Sequence, residues 1–449
     1  MFNRILIKNI SIVNEGKIVV SDVLINNGII QTIQLNQHDA DSFLIDGTGK
    51  FLLPGIIDGQ VHFREPGLTH KGDMYTESKA AVAGGVTSFI DMPNTVPNVL
   101  TMAILQEKYA IASKQSLANF GFFLGVNGDN LDEVIGLDTS QLLGVSDDGL
   151  YFTKKGNLLA DNPETMEKLF ANCRSIIAIH SEKEQIVEEN ENAFREKYGE
   201  DVPLDCHPLI RSERACFEAT QRAIELANKY KARLHILHLT TEAETHLFRN
   251  DIPLQEKNIT TEVSVHHLWF SDADYARLGS LIKWNPAIKT EKDKQGLLKA
   301  LIDDRIDIVT TDHAPHTLEE KQRTYFQAMS GAPIIQHSLN IMLEFYKQGL
   351  ITVEKIVEKM CHNPAILYRI EKRGFIREGY FADLTIVDFD CTWTVAKDNM
   401  LYKCAWSPLE GTTFHTKVTH TFVNGHLVYN NGLFNEENRG MALEVSAHA

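Results

Sequence analysis

From Pro54 to about residue 370 the chain repeats one texture, a short apolar run, a polar or Gly-rich loop, then a helix-like segment. The runs are PGIIDGQVHFREPG (54–67), TSFIDMP (87–93), NFGFFLGV (119–126), QLLGVSDD (141–148), SIIAIHSE (175–182), ARLHILHLT (232–240), ITTEVSV (259–265) and IDIVTTDHAPH (306–316). Segments such as SKAAVAGG, TMEKLFANC and ATQRAIELANKY lie between them and read as helices. Eight strand–helix units over about 300 residues suit an α/β fold of the (β/α)8, TIM-type barrel class. An open doubly wound sheet would alternate in the same way. However, acidic and histidine residues close many of these runs, and one central funnel accounts for that better than a single crevice.

The two chain ends have a different texture. ILIKNISIV, KIVVSDVLI, GIIQTIQL and SFLIDG alternate as strands separated by turn signals such as Asn-Asn-Gly. After about residue 370, FADLTIVDFD and HTKVTHTFVNGHLVYNNG do the same. A lone small sheet is marginal, so the ends are expected to complete one another. The reading is a β-sandwich domain from 1–53 and 371–449, flanking a barrel over 54–370.

The formal net charge of -16 argues against nucleic acid or anionic membrane as a partner, since both select basic surfaces. It leaves room for an anionic small-molecule substrate, because one local arginine can bind a carboxylate. The six cysteines are scattered with no C-x-x-C pair, which suits a reducing cytoplasm. The N-terminal stretch alternates like a strand and has no signal-peptide core, and no run approaches the length of a membrane span.

Five strand-end residues carry the chemistry: His62, Asp148, His180, His238 and Asp312. Imidazole with carboxylate is a zinc-type ligand set, and barrel geometry gathers strand ends that are far apart in sequence. By the two-residue strand period, Gln60, His62 and Arg64 share one face of the first run. A lone strand-end histidine is more often structural, and Asp312 alone could be a helix cap; it is the joint pattern that favours a metal. Asn94 alone could be a turn residue and Arg64 a solvated rim cation. Asp147 is read as a turn residue.

PGIIDGQVHFREPG, MPNT (92–95), TTDHAPH and the C-terminal NPA…ADLTIVD together resemble the dihydroorotases, of the class I bacterial type, in the amidohydrolase superfamily. The resemblance runs nearly end to end. It implies a (β/α)8 barrel with a flanking sheet, one or two zinc ions, and reversible hydrolysis of L-dihydroorotate to N-carbamoyl-L-aspartate in pyrimidine biosynthesis. It assigns metal binding to His62, Asp148, His180, His238 and Asp312, proton transfer to Asp312, and substrate binding to Arg64, Asn94, Asn285 and His316. By analogy it implies a homodimer and a contact with aspartate carbamoyltransferase.

Several positions depart from the family pattern. Gln60 stands where the first histidine of a His-x-His pair is usual, which weakens one metal position and leaves His180, His238 and Asp148 intact. No lysine closes the fourth run, so Asp148 in the DDG motif is the matching ligand. Ala287, Lys289, Ile334 and Gln336 differ near the expected pocket, and Ile334 in place of glycine is expected to close space there. Competing readings are an allantoinase or hydantoinase, and a non-catalytic barrel serving as a partner of the carbamoyltransferase.

Overall fold

The computed structural model describes residues 4–37, 39–138, 142–147 and 163–446. Eight parallel barrel strands follow the eight runs: Ile56–Val61, Val86–Asp91, Asn119–Phe122 with Leu124–Gly125, Val145–Ser146, Ile177–Ile179, Leu234–Ile236, Ile259–Ser264 and Ile308–Thr310. Ile56–Val61 is buried along its whole length, which a strand covered on both faces requires. The barrel closes where Val61 bridges His313 in parallel and the His62 N–H donates to the His313 carbonyl at 2.8 Å. This closure sets the first and eighth strand ends side by side.

Helices on the outside start at polar caps. Asp73 and Thr76 form a reciprocal capping box at Met74–Ala83, and Thr290 with Asp293 does so at Glu291–Ile302. Ser212 caps Glu213–Tyr230. Each cap satisfies amide groups that the first helical turn leaves open, and is worth about 1 kcal/mol.

The chain ends build one nine-stranded sheet. Its centre is Phe51–Pro54, which pairs parallel with Arg4–Asn14 and antiparallel with Leu384–Asp388. The sheet curls, so that the turn at Gly28 meets the turn at Gly425. A Cβ on Gly425 would lie 2.5 Å from the Gly28 Cα, so this approach requires glycine. Ile5, Ile7, Ile25, Leu52, Leu384 and Phe422 form a core of its own.

Two parts of the C-terminal region return to the barrel. Residues 440–443 pair with the start of the third strand, Leu443 N donating to Phe120 O at 2.8 Å, residues 444–446 pair with 369–371, and Leu443 packs among Ile57, Phe123 and Tyr368. The loop between Trp393–Thr394 and Thr413–Phe414 reaches the barrel mouth through Tyr402 and Trp406. Among the described residues no helix is long and apolar enough to cross a membrane.

Candidate functional site

The strand ends converge on a cavity of about 190 Å³ lined by His62, Arg64, Asn94, His180, Asn285, Asp312 and His316, with Leu68, Val96 and Met329 among its apolar walls. Seven of the nine expected site residues therefore share one space. His238 stands behind them, its ring centroid 4.4 Å from that of His180 and perpendicular to it. Asp148 lies outside the described residues.

His62 is held at both nitrogens. Nδ1–H donates to Asn94 Oδ1 at 2.8 Å, which leaves Nε2 as a lone pair facing Asp312 Oδ1 at 3.0 Å. Two electron-pair donors facing each other need a proton or a cation between them. Complete burial pushes the Asp312 carboxyl well above the usual range, with the nearby charge of Glu262 adding to the rise and Arg64 opposing it. The backbone around His62 is fixed from below, since Phe63 N donates to Asp91 Oδ1 at 2.8 Å and the buried Lys108 pairs with Asp91 at 2.6 Å.

The imidazoles of the opposite wall are neutral. Burial brings His180 down to about 4, against the raising effect of Glu182, and burial plus three neighbouring histidines holds His238 well below its usual value. Neutral imidazole is the metal-binding form. His180 Nε2 donates to the Asn285 carbonyl at 3.3 Å, and its backbone N–H to Asp147 Oδ1 at 3.0 Å. Asp147 is thus a buried clamp on the next strand end, a correction to its reading as a turn residue. The His238 Nε2 is buried without a hydrogen-bond partner among the described residues. The Gln60 amide, fully buried, has none for either polar atom. These donors fit a divalent metal in chemistry, although no cluster of three or more ligating side chains is complete among the described residues.

Arg64, His238 and Asp312 all have positive φ, at 67, 34 and 46°. Such backbone costs about 1–3 kcal/mol per non-glycine residue, and it clusters where side chains must be aimed. The same value corrects the placement of Arg64. The strand ends at Val61, so Arg64 reaches the cavity through a left-handed turn, and not by sharing a strand face with His62.

Arg64 Nε donates to the Pro315 carbonyl at 3.1 Å and Nη2 to His316 Nε2 at 3.0 Å. Asn285 Oδ1 accepts from Ser330 at 3.0 Å, and its segment is anchored by His207 to the Trp284 carbonyl (2.6 Å) and by His267 to the Pro286 carbonyl (3.2 Å). His266 stacks on Trp284 at 4.0 Å.

The divergent positions behave differently from expectation. Ile334 is packed in the barrel core with φ of -151°, and it does not line the cavity. Gln336 bonds the Asn399 carbonyl and Leu401 N, away from the site. Ala287 and Lys289 also stay outside it. Nothing at these four positions closes the pocket.

Sequence reasoning missed Lys71, Glu320, Ser330 and Trp406. Lys71 lines the cavity and pairs with Glu320 at 3.0 Å, and Trp406 Nε1 donates to the His316 carbonyl at 2.7 Å. The signal available was LTHK directly after HFREPG; Trp406 comes from a loop ninety residues beyond its partner and carried none.

A family model described as the amidohydrolase family matches residues 51–428. A dihydroorotase from Methanosarcina acetivorans is 32% identical over 417 residues, covering 90% of this chain and 88% of that protein. A dihydroorotase from Carboxydothermus hydrogenoformans is 32% identical over 427 residues, covering 94% and 96%. Among solved structures, an L-hydantoinase (dihydropyrimidinase) from Arthrobacter aurescens superposes with a TM-score of 0.90 at 25% identity, covering 99% of this chain and 100% of that one.

Proposed function

The chain belongs to the amidohydrolase family and is a hydrolase acting on cyclic amides, and from that premise we propose that it is a zinc-dependent dihydroorotase. The reaction is the reversible hydrolysis of L-dihydroorotate to N-carbamoyl-L-aspartate, a step of pyrimidine biosynthesis. One observation carries the choice of substrate. Arg64 and His316, 3.0 Å apart, line the same cavity as His62 and Asp312, so a carboxylate-reading cation stands beside the reacting groups. The hydantoinase-like architecture favours a second reading, a hydantoin or dihydropyrimidine ring without a carboxylate.

Amidohydrolases generally use a metal, typically zinc. His62, His180, His238 and Asp312 would hold it, with Asp148 completing the set. Bound zinc supplies Lewis acidity toward the ring carbonyl and acidifies water. Asp312 takes the proton of the attacking water and returns it to the ring nitrogen as the C–N bond breaks. Asn94 keeps the His62 Nε2 lone pair turned toward Asp312. Arg64, Asn94, Asn285 and His316 orient the substrate, and Leu68, Val96 and Met329 limit water at the wall.

Gln60 takes the place of a first His-x-His histidine in this reading. An amide oxygen is a poor zinc ligand beside imidazole, so the position built on His180, His238 and Asp148 fills first, and one zinc or two depends on Gln60. The division into 1–53 with 371–449 and 54–370, a cytoplasmic homodimer and a contact with aspartate carbamoyltransferase belong to the same proposal by family analogy.

The test is zinc per chain in purified protein together with carbamoyl-aspartate formation from dihydroorotate, with hydantoin and allantoin as controls. Absent metal and absent turnover overturn the enzyme mechanism; turnover of hydantoin or allantoin alone moves the substrate. Asp148→Ala is expected to lower zinc content, and equal zinc in wild type and variant retires that ligand.

A further inference from the structure

Two donors and one acceptor surround His316, and its two nitrogens cannot satisfy both donors in one neutral tautomer. Arg64 Nη2 lies 3.0 Å from Nε2, and Lys71 Nζ lies 3.0 Å from Nδ1. A guanidinium only donates, so Nε2 is the lone pair and Nδ1 carries the proton. That proton then points to the side where Lys71 stands. The acceptor there is Glu320, whose Oε2 is 3.5 Å from Nδ1 and whose Oε1 takes Lys71 at 3.0 Å. The ring is neutral, because burial holds His316 well below its usual value and the neighbouring Arg64 adds to the effect. The Lys71 side chain is buried and lines the cavity beside Arg64.

A substrate carboxylate arriving at Arg64 reverses the arrangement. It draws Nη2 away from Nε2, and Nε2 must then itself donate to the carboxylate. One proton passes from Nδ1 to water and one from water to Nε2, so the ring stays neutral. The bare Nδ1 needs a donor, and Lys71 is already at hydrogen-bond distance. We propose that Lys71 is a specificity-determining residue. Its ammonium stabilises the Nε2–H tautomer of His316 that grips the substrate's carboxylate, and Glu320 holds Lys71 in place. This rests on the reading of the substrate as a carboxylate-bearing cyclic amide.

The experiment compares full-length wild type with Lys71→Met and Lys71→Arg. It reads KM and kcat for dihydroorotate, and inhibition constants for orotate, which bears the carboxylate, and dihydrouracil, which lacks it. Lys71→Met is expected to raise KM and the orotate constant together by about 10-fold or more, the cost of one charge-assisted hydrogen bond. Its kcat stays within about 3-fold and its dihydrouracil constant is unchanged, while Lys71→Arg recovers most of the loss. Equal weakening of orotate and dihydrouracil, or unchanged KM in Lys71→Met, overturns the inference while turnover by wild type leaves the substrate reading standing. A wild type that binds dihydrouracil and not orotate overturns both. Should Lys71→Met fail to fold, Glu320→Gln is read in the same assay, with the same selective loss expected and an equal loss for both rings overturning the role.

Discussion

The rim and the floor of the barrel mouth are built on opposite principles. On the rim, Arg64, Lys71, His316 and Glu320 hold one another through hydrogen bonds and ion pairs between 3.0 and 3.5 Å, and Asn94 holds His62 at 2.8 Å. On the floor, His238 Nε2 and both polar atoms of Gln60 are buried with no hydrogen-bond partner among the described residues, and His180 and His238 are held neutral by burial. A buried polar atom without a partner costs about 1–3 kcal/mol, so the fold tolerates on the floor what it avoids on the rim. The rim's hydrogen-bonding groups are preorganised by the protein itself. The floor's electron pairs suit a divalent cation, and Asp312 joins the two, facing His62 across 3.0 Å while its carboxyl is pushed up by burial.

Removing the joint should cost most. Asp312→Asn is expected to lower kcat by about 10³-fold, within the range for loss of a general acid–base. Residual turnover near wild type would separate proton transfer from this residue. Next comes the rim: Arg64→Met should raise KM for dihydroorotate by about 10- to 100-fold with a smaller change in kcat, since a charge-assisted pair acts on binding. A kcat loss larger than the KM change would mean that rim and floor are one unit. On the floor, His238→Ala should reduce zinc per chain measured by elemental analysis, and Gln60→His should increase it. No gain in Gln60→His would mean that this amide is not what limits the metal.

The smallest effect lies one layer deeper. Burial raises the Asp58 carboxyl to about 7, although Thr311 and the Gln60 N–H oppose the rise by hydrogen bonding to it. Its folded value is above its unfolded one, so the folded state binds the extra proton between the two. Stability is full below about pH 4 and falls as pH rises through about 7, by at most about 1.4 kcal/mol per unit. Asp58→Asn should flatten that slope, visible as a shift of about 1–3 °C in Tm between pH 5 and pH 8. An unchanged slope would place the pH response elsewhere.

The eight-fold rhythm, the joining of the two chain ends in one β domain and most of the cavity were legible in the chain because strand period and turn chemistry are local. His62, His180 and Asp312 announced themselves at strand ends, and barrel closure did the rest. Local pattern failed where backbone direction or distant contacts decide. The two-residue period put Arg64 on a strand that had already ended, and a φ of 67° is what aims it. Asp147 looked like a turn residue because its partner, the His180 amide, is 33 residues away. Ile334 and Gln336 looked like pocket changes because their neighbours in sequence line the pocket, yet their side chains face the core and the 399–401 segment.

The sequence by itself determined the alternation of elements and through it the barrel, while its motifs determined the family and the candidate ligating and proton-carrying side chains of the proposed mechanism. Only the tertiary structure decided which of those groups meet and in which protonation state. The His62 lone pair faces Asp312 because Asn94 holds the other nitrogen, and His316 is contested by Lys71, Glu320 and Arg64 because the segments that follow the first and eighth strands meet at one point. Such outcomes depend on burial and on donor–acceptor counts across long separations. A one-dimensional pattern does not contain them.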